Sequence, residues 1–509
     1  MISSLPTLLF QFALAGALLT ALTVWKKKHN QIFMTFLQHF CGVWFIFSGL
    51  VKAVDPIGTA YKMEDYFAAF SQTFEGLNNV FAKLAPVFPW LSGYSIGFSI
   101  FMVLLEIVLG VMLIVGYRRK LTAWLFFITM IFFTALTGFT YLTGYVPSDA
   151  NFFDFAKWGP YKKELMRVTD CGCFGDFIKL DPKVSFFKDL GLMIPAFLFL
   201  FRSKWMHQLF NSRLRGYATW GATAFTILLC VQNTYLDLPM VDFRPFKIGN
   251  NIREKKALEE EARSNVQILG YVLKNDSLKQ VVTYMEPDPA KPYSYVKQYP
   301  KAAGWKVFEQ IKNEPFIEKD GQKILVPSTK VSEFAIEDAD NNEITEDLLA
   351  EKGYSLIIVA YKFYGDMKTE TITVQDTTWA SDTIRINKDS INIVQRVAAL
   401  TPRQIEREVF EPQADYAALF EKQVNPLADA AAKAGWKVYA LATHGDFAKS
   451  KDLLKKTNGK YPFYKGDDKL LKTIIRANPG IVVMKDGQVL DMYHHRHLPG
   501  FDKLSATWK

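Results

Sequence analysis

Hydrophobic and polar positions divide this chain into two halves of different character. Through residue 236 the apolar residues run in long uncharged stretches rich in Phe, Leu, Ile, Val and Trp. Beyond that point they come in short alternating or periodic segments among charged residues. The runs 5–25, 33–54, 94–117, 121–145, 186–201 and 216–236 are each about long enough to cross a hydrocarbon core of roughly 30 Å. Few soluble helices are apolar on every side, so these runs predict an α-helical transmembrane bundle of about six helices. The fifth run is short and contains Pro195, which predicts a kink or tilt. The first lacks the basic n-region of a signal peptide and is followed by Lys26-Lys27-Lys28, so it reads as a helix in its own right.

The second half has the periodicities of a soluble α/β domain. Residues 250–263 are strongly charged and form a short helix or a linker; 266–326 are mixed, with strands and a helix expected around 302–312. From 331 the pattern sharpens. Residues 354–363 are a continuous apolar run of strand length, consistent with a buried central strand. Thr- and Ile-rich alternation over 369–393 predicts an inserted β-hairpin, and 415–434 a helix interrupted by Pro426. A strand at 436–442, a helix at 446–456, a short strand at 461–464 and a short helix at 468–476 follow. The chain closes on a hairpin around Lys485-Asp486-Gly487-Gln488. This order predicts a sheet with helices on both faces.

Charge then orients the first half. The net charge is +9 on 509 residues, but the clearest basic clusters sit at the ends of apolar runs: Lys26–Lys28, Arg118–Lys120, and Arg202, Lys204, Arg213 and Arg215. They fall in alternate connections, which the positive-inside rule makes cytoplasmic. The expected topology is N-out and C-out, with 55–93, 146–185 and the soluble half extracytoplasmic. No basic stripe with interleaved aromatics occurs in the soluble half, which argues against nucleic acid as a partner.

Candidate chemistry is sparse. Cys41 and Cys230 lie inside apolar runs and read as small packing residues. Cys171 and Cys173 stand in Asp170-Cys171-Gly172-Cys173-Phe174-Gly175-Asp176, an outward loop where an oxidising compartment lets thiols pair. One intervening residue makes such a ring tight and reducible, so the pair is a redox candidate; a static loop bridge and two free thiols are the alternatives. Zinc between these thiols lacks nearby His ligands, so no metal site is assigned there. Glu106 sits midway along an apolar run, where a carboxylate is costly and functional by default. It either acts as a protonated donor or clasps a neighbouring helix through Thr129, Thr134 or Thr137. Lys52, Asp55, Lys62, Glu64 and Asp65 are expected to cluster at the outer surface of the bundle, as an ion-pair network or the rim of a site. His495 and His497, read as one face of a strand, with His444 as a third ligand, form a weak metal pattern against an ordinary polar edge strand.

Two resemblances enter on these motifs. The CGCFGD loop, the stretch Phe47-Ser48-Gly49-Leu50-Val51-Lys52-Ala53-Val54-Asp55-Pro56 with Gly58-Thr59-Ala60-Tyr61-Lys62-Met63-Glu64-Asp65-Tyr66-Phe67, and Leu105-Glu106-Ile107-Val108-Leu109-Gly110 resemble the MauE-type proteins, which belong with the DoxX-like helical bundles. The resemblance covers about 31–236, leaving 1–30 as an additional transmembrane helix and 237–330 as linker and mixed α/β region. It implies a role in periplasmic redox or disulfide maturation at a cell inner membrane, with a quinone as a candidate cofactor. Residues 331–509 resemble a thioredoxin-like fold of the TlpA or peroxiredoxin kind, on Phe334–Ala350 and on the proline before the strand–KDGQ–strand hairpin. That resemblance puts Pro479 at the family's cis-proline. It puts the family's Cys-x-x-Cys after Phe363, where this chain reads Tyr364-Gly365-Asp366-Met367 and has no cysteine in its entire second half. Thiol–disulfide exchange needs a thiolate, so this domain is expected to bind a partner in a groove at Pro479 and Tyr364. Two functions remain open: a redox protein acting through Cys171 and Cys173 on an extracytoplasmic protein client, and a non-catalytic scaffold or accessory subunit of a cell-envelope complex. Transport lacks the broken helices and paired charges it needs.

Overall fold

The computed structural model describes residues 5–508, apart from 78, 169–171, 276, 279, 289, 290, 328, 330, 388 and 389, with backbone alone at 309, 372, 382–387, 390–394 and 396. The chain forms two compact units, Met1–Arg244 with Glu261–Pro327, and Pro245–Glu260 with Ser328–Lys509.

The first unit opens with α1 (Leu5–Trp25), α2 (Ile32–Val54), α3 (Pro56–Glu75), α4 (Val87–Ser92), α5 (Ser95–Val115), α6 (Arg119–Thr143), α7 (Pro182–Phe201) and α8 (Ser212–Val231). Helix α1 shows how a lipid-facing helix is built. Leu8, Phe12, Gly16, Thr20 and Thr23 are buried on one face, while Phe10, Leu14, Leu18 and Leu22 form an exposed stripe at fourfold spacing. Five helices (α1, α2, α5, α6 and α7) are long and apolar enough to cross a membrane. The molecule is a multi-pass membrane protein. Expectation and structure part at the sixth run. Its helix begins at Ser212, takes in Arg213 and Arg215, and carries Thr219, Thr223 and Thr226, so it is less apolar than the other five.

A second correction concerns 55–93, which is mostly helical instead of a loop. Asp55 caps α3 by accepting from the Gly58 amide at 2.8 Å, and Pro56 occupies the first turn, where its missing N–H costs nothing. The basic connections meet at one end of the bundle. Asn30 Nδ2 and Arg119 Nη1 both donate to the Met206 carbonyl, at 2.7 and 3.2 Å, and the Leu209 amide donates to Val115 at 3.0 Å.

After α9 (Ile252–Ser264) come β1 (Ile268–Asn275), β2 (Gln280–Met285) and β3 (Trp305–Lys312), an antiparallel sheet in the order β2-β1-β3, then the hairpin β4 (Phe316–Lys319) and β5 (Gln322–Leu325). The helix expected at 302–312 is therefore strand β3. Only Lys301–Ala303 makes a helical turn, which Gly304 ends at φ +85°.

In the second unit, β6 (Ile336–Glu337), α10 (Thr345–Leu349) and β7 (Tyr354–Ala360) precede a two-stranded ribbon, β8 (Gly365–Asn387) and β9 (Ser390–Pro412). There follow α11 (Ala414–Leu419), α12 (Asn425–Lys433), β10 (Lys437–Thr443), α13 (Phe447–Thr457), β11 (Phe463–Gly466), α14 (Asp468–Ile474), β12 (Gly480–Lys485), β13 (Gln488–His494) and α15 (Phe501–Thr507). The main sheet runs β13-β12-β7-β10-β11-β6, with β7, β10 and β11 parallel and β6, β12 and β13 antiparallel to their neighbours. Leu356, Ile358, Ala440, Ala442, Ile481 and Val483 from its central strands pack on Phe420, Val424, Leu427 and Leu453 of the helical layer. Each ribbon strand is 23 residues long, and Phe410 at the base is buried while Trp379, Val397 and Leu400 further out are exposed. The inserted hairpin is thus longer than alternation alone indicates.

Helix α9 is fastened by one carboxylate. Glu259 accepts from the Thr329 amide at 2.9 Å, the Thr329 hydroxyl, the Ser332 amide at 3.2 Å and the Ser332 hydroxyl at 3.0 Å. Burial pushes its pKa up, but the bonds from Thr329 and Ser332 outweigh that and hold it below the ordinary 4.5. A depressed folded value means stability that is present above the ordinary value and lost as pH falls through the folded one. Glu259→Gln is expected to cost about 1–3 kcal/mol at neutral pH and to flatten the acid limb of stability below about pH 4.5. Urea unfolding of the full chain in detergent at neutral and acid pH measures both; an unchanged acid limb refutes the assignment.

Candidate functional site in the helical bundle

Glycines set the site by bringing α2 and α5 together. A Cβ added to Gly42 would stand 2.9 Å from the Gly110 carbonyl oxygen, and one on Gly110 would stand 2.7 Å from that of Gly42. Only residues without a side chain allow helix backbones this close. Further along α2, a Cβ on Gly49 would meet Glu106 Cβ at 3.2 Å. Nearly one turn on, Lys52 Nζ donates to Glu106 Oε1 at 2.5 Å, with the two side chains 7% and 1% exposed. Lys52 also donates to Ser48 Oγ at 3.2 Å, and Ser48 Oγ donates to the Cys173 carbonyl at 3.0 Å.

A second buried pair faces the same space from α7. Lys188 Nζ donates to Asp189 Oδ1 at 2.6 Å, and Asp189 Oδ2 accepts from Thr137 Oγ1 at 3.0 Å. The Lys188 ammonium lies 5.7 Å from the Trp44 ring centre and 5.9 Å from that of Phe174, within cation–π range.

The cysteine loop is pinned by one aromatic. Phe174 is buried in the bundle core, bridges to Ile178 through the backbone and packs edge-on against Phe47. Gly172 and Gly175 on either side take positive φ, +59° and +52°, which glycine adopts without strain. Cys173 is thereby presented to a cavity that it shares with Trp44, Lys52, Glu106, Lys188 and Asp189, about 780 Å³ with its open mouth. Cys171 lies outside the described residues.

The expected site residues sort themselves as follows. Cys173, Glu106, Lys52 and Lys62 line one cavity. Glu106 takes Lys52 as its partner; the expected threonine clasp does not form, because Thr129 bonds the Leu125 carbonyl of its own helix and Thr137 bonds Asp189. Lys52 is correspondingly buried, not at the surface. Asp55 caps α3, Lys62 pairs with Asp65 at 3.9 Å, and Glu64 accepts from Ser95 at 2.9 Å. In the second unit the Asn478–Pro479 peptide is cis, and the Asn478 side chain bonds the backbone of Lys362, two residues before Tyr364. His495, Arg496 and His497 form a helical turn, so the two histidines do not share a strand face. Among the described residues no group of three His, Cys, Asp or Glu can hold a metal ion.

The pair Lys188–Asp189 was overlooked by sequence reasoning, although two charges inside the fifth apolar run are themselves a signal; with Lys52–Glu106 it corrects the expectation that the bundle lacks paired charges. Trp44 and Ser48 carry no such signal, being ordinary members of an apolar helix.

With this geometry in view, comparison with known families adds a further observation. Residues 30–148 match the family described as methylamine utilisation protein MauE. Over that stretch the chain is similar to MauE, and its five long apolar helices are those of a multi-pass membrane protein. The MauE-like stretch contains both Lys52 and Glu106 and ends before the cysteine loop. No curated protein and no solved structure matches the chain.

The buried pair makes a quantitative prediction for this MauE-like segment. Lys52→Met strands the Glu106 carboxylate and is expected to cost about 3–5 kcal/mol, whereas Lys52→Met with Glu106→Gln recovers most of that loss. A double-mutant cycle on thermal unfolding in detergent reads the coupling; additive losses would contradict the pairing.

Proposed function

We propose that this protein is an inner-membrane, redox-associated member of the DoxX-like bundles that serves thiol oxidation or disulfide maturation outside the cytoplasm. Cys171 and Cys173 are the exchanging pair in this reading, and the C-terminal unit is a thioredoxin-like module that binds the protein client. The observation that carries it is the seat of Cys173, which lines one cavity of the bundle together with Lys52, Glu106 and Lys188. A cysteine that merely staples a loop needs neither a cation nor a cavity. The match to a family described by methylamine utilisation supports an accessory role to such an oxidative process.

Orientation follows the positive-inside rule. The end where the basic connections meet is cytoplasmic, and the loop with Cys173 lies outside. For the C-terminal unit to lie outside as well, α8 must cross the membrane, its Arg213 and Arg215 on the cytoplasmic side. The thioredoxin-like assignment is supported by the strand order around β7, and by the Asn478 side chain, which bonds the backbone of Lys362 beyond the end of that central strand. Its groove, at Tyr364 and Pro479, has no thiol and therefore recognises without reacting.

A scaffold reading draws on one observation, the absence of any cysteine after Cys230. Trapping separates the two. In Cys173→Ser, Cys171 is expected to accumulate mixed disulfides with an extracytoplasmic protein, visible on non-reducing gels and lost in the double serine variant. A membrane-impermeant maleimide added to intact cells should also label Cys173 after reduction. No trapped species, together with full function of the double variant, would establish the scaffold instead.

A further inference from the structure

The connection from α3 to α5, residues 76–94, carries a single charge, Lys83. It folds as a 3₁₀ turn, Val80–Leu84, followed by α4. One face holds the bundle. Ala85 is buried, and the Phe88 ring lies 5.6 Å from that of Phe70 and 5.1 Å from that of Phe74 on α3. The other face is apolar and open. Val80, Phe81, Leu84, Val87, Trp90 and Tyr94 are all exposed, Val80 at 76% and Trp90 at 62%. Contiguous apolar surface of this kind marks an interaction site.

What covers this face follows from the helix it leads into. Trp90 and Tyr94 continue into Phe98 and Phe101 of α5 at helical spacing, Gly93 between them keeps a φ of −62°, and all four aromatic residues are exposed. Helix α5 is long and apolar enough to cross a membrane, so the lipid that covers Phe98 and Phe101 meets no polar boundary before Trp90. The stretch Val80–Ser92 is itself too short to cross, about 20 Å as a helix against roughly 30 Å of hydrocarbon. Lipid offers no hydrogen bonds, and the segment supplies its own. The amides of Ala82, Ala85 and Phe88 donate to carbonyls three residues back at 3.0, 3.1 and 3.2 Å, and the Phe81 amide donates to the Asn79 side chain at 2.9 Å. Pro86 and Pro89 have no N–H to satisfy. Trp and Tyr settle at the boundary between head groups and acyl chains, and a lysine stem is long enough to carry the Lys83 ammonium back to water.

We propose that residues 80–94 are a phospholipid-binding segment that lies along the membrane boundary, with Val80, Phe81, Leu84, Val87 and Trp90 among the acyl chains. The leaflet is the one away from the basic connections, because the other end of α5 meets those connections where Leu209 donates to Val115. The occupant is lipid and not a second protein, since the exposed face is continuous with the lipid-facing side of α5. This placement goes beyond the redox reading and does not depend on it. It takes the later part of the expected outer connection, 55–93, out of the water. Through Phe88 the same segment holds α3, whose Thr59, Lys62 and Tyr66 line the bundle cavity, against the membrane surface.

Depth in the bilayer tests this directly. The full chain, with Cys171→Ser and Cys173→Ser, is spin-labelled at Leu84→Cys or Trp90→Cys and placed in phosphatidylcholine nanodiscs. Cys41 and Cys230 are buried and take no label. Both new positions are exposed, so the substitutions leave the packing intact. Power saturation then compares collisions with oxygen, which concentrates in lipid, and with a nickel chelate, which stays in water. Oxygen is expected to relax both labels severalfold more than the chelate does, as at Phe101→Cys on α5 and opposite to Asp340→Cys on the exposed turn of the C-terminal unit. Chelate relaxation at 84 and 90 equal to that at 340 overturns the proposal and returns the segment to water. Labels shielded from both reagents, with dipolar broadening between copies, overturn it in favour of self-association. Shielding from both without broadening overturns it in favour of burial within the chain.

Discussion

Everything distinctive in the membrane half depends on burying an ion pair where charge is costly. In a low-dielectric interior, Lys52 and Glu106 repay their desolvation only at close range and with further hydrogen bonds in place. Both conditions come from how α2 and α5 pack. Gly42 and Gly110 let the backbones approach, and Gly49 leaves room beside Glu106, so the ammonium and the carboxylate meet at 2.5 Å. Ser48 then extends the pair to the backbone of the cysteine loop. The polar centre is thus a property of helix packing, and one hydrogen bond joins the cysteine loop to it.

The loop is held with economy. One buried aromatic, Phe174, anchors it among the helices, and the glycines on either side turn the chain without strain. This leaves Cys173 facing a cavity whose polar groups belong to five different helices, α2, α3, α5, α6 and α7. Lys188 and Asp189 pair there as Lys52 and Glu106 do, so the cavity holds charges of both signs.

The C-terminal unit shows the complementary arrangement. Its sheet is a well-filled core, with Leu356, Ile358, Ala440, Ile481 and Val483 fully buried at its centre. Where the central strand ends, the chain leaves through Tyr364 into a ribbon of two 23-residue strands, whose outer part exposes Trp379, Val397 and Leu400. An isolated two-stranded ribbon is marginally stable at best in water, so this insertion builds no core of its own.

Apolar runs longer than a soluble helix tolerates, followed by alternating segments, determined the division of the chain, because the hydrophobic effect acts on every residue of such a run alike. Five of the expected crossings, the central strand at Tyr354 and the terminal hairpin were legible for that reason. Periodicity is local, so it failed wherever a distant partner decided. It gave no sign that β1 would draw 305–312 into a strand, or that the stretch after Asp55 would fold back as a helix. Glu106 was recognisable as costly, but its partner lies 54 residues away on another helix. Only tertiary packing could choose Lys52 over the nearer threonines, because the choice rests on which glycines let two backbones touch.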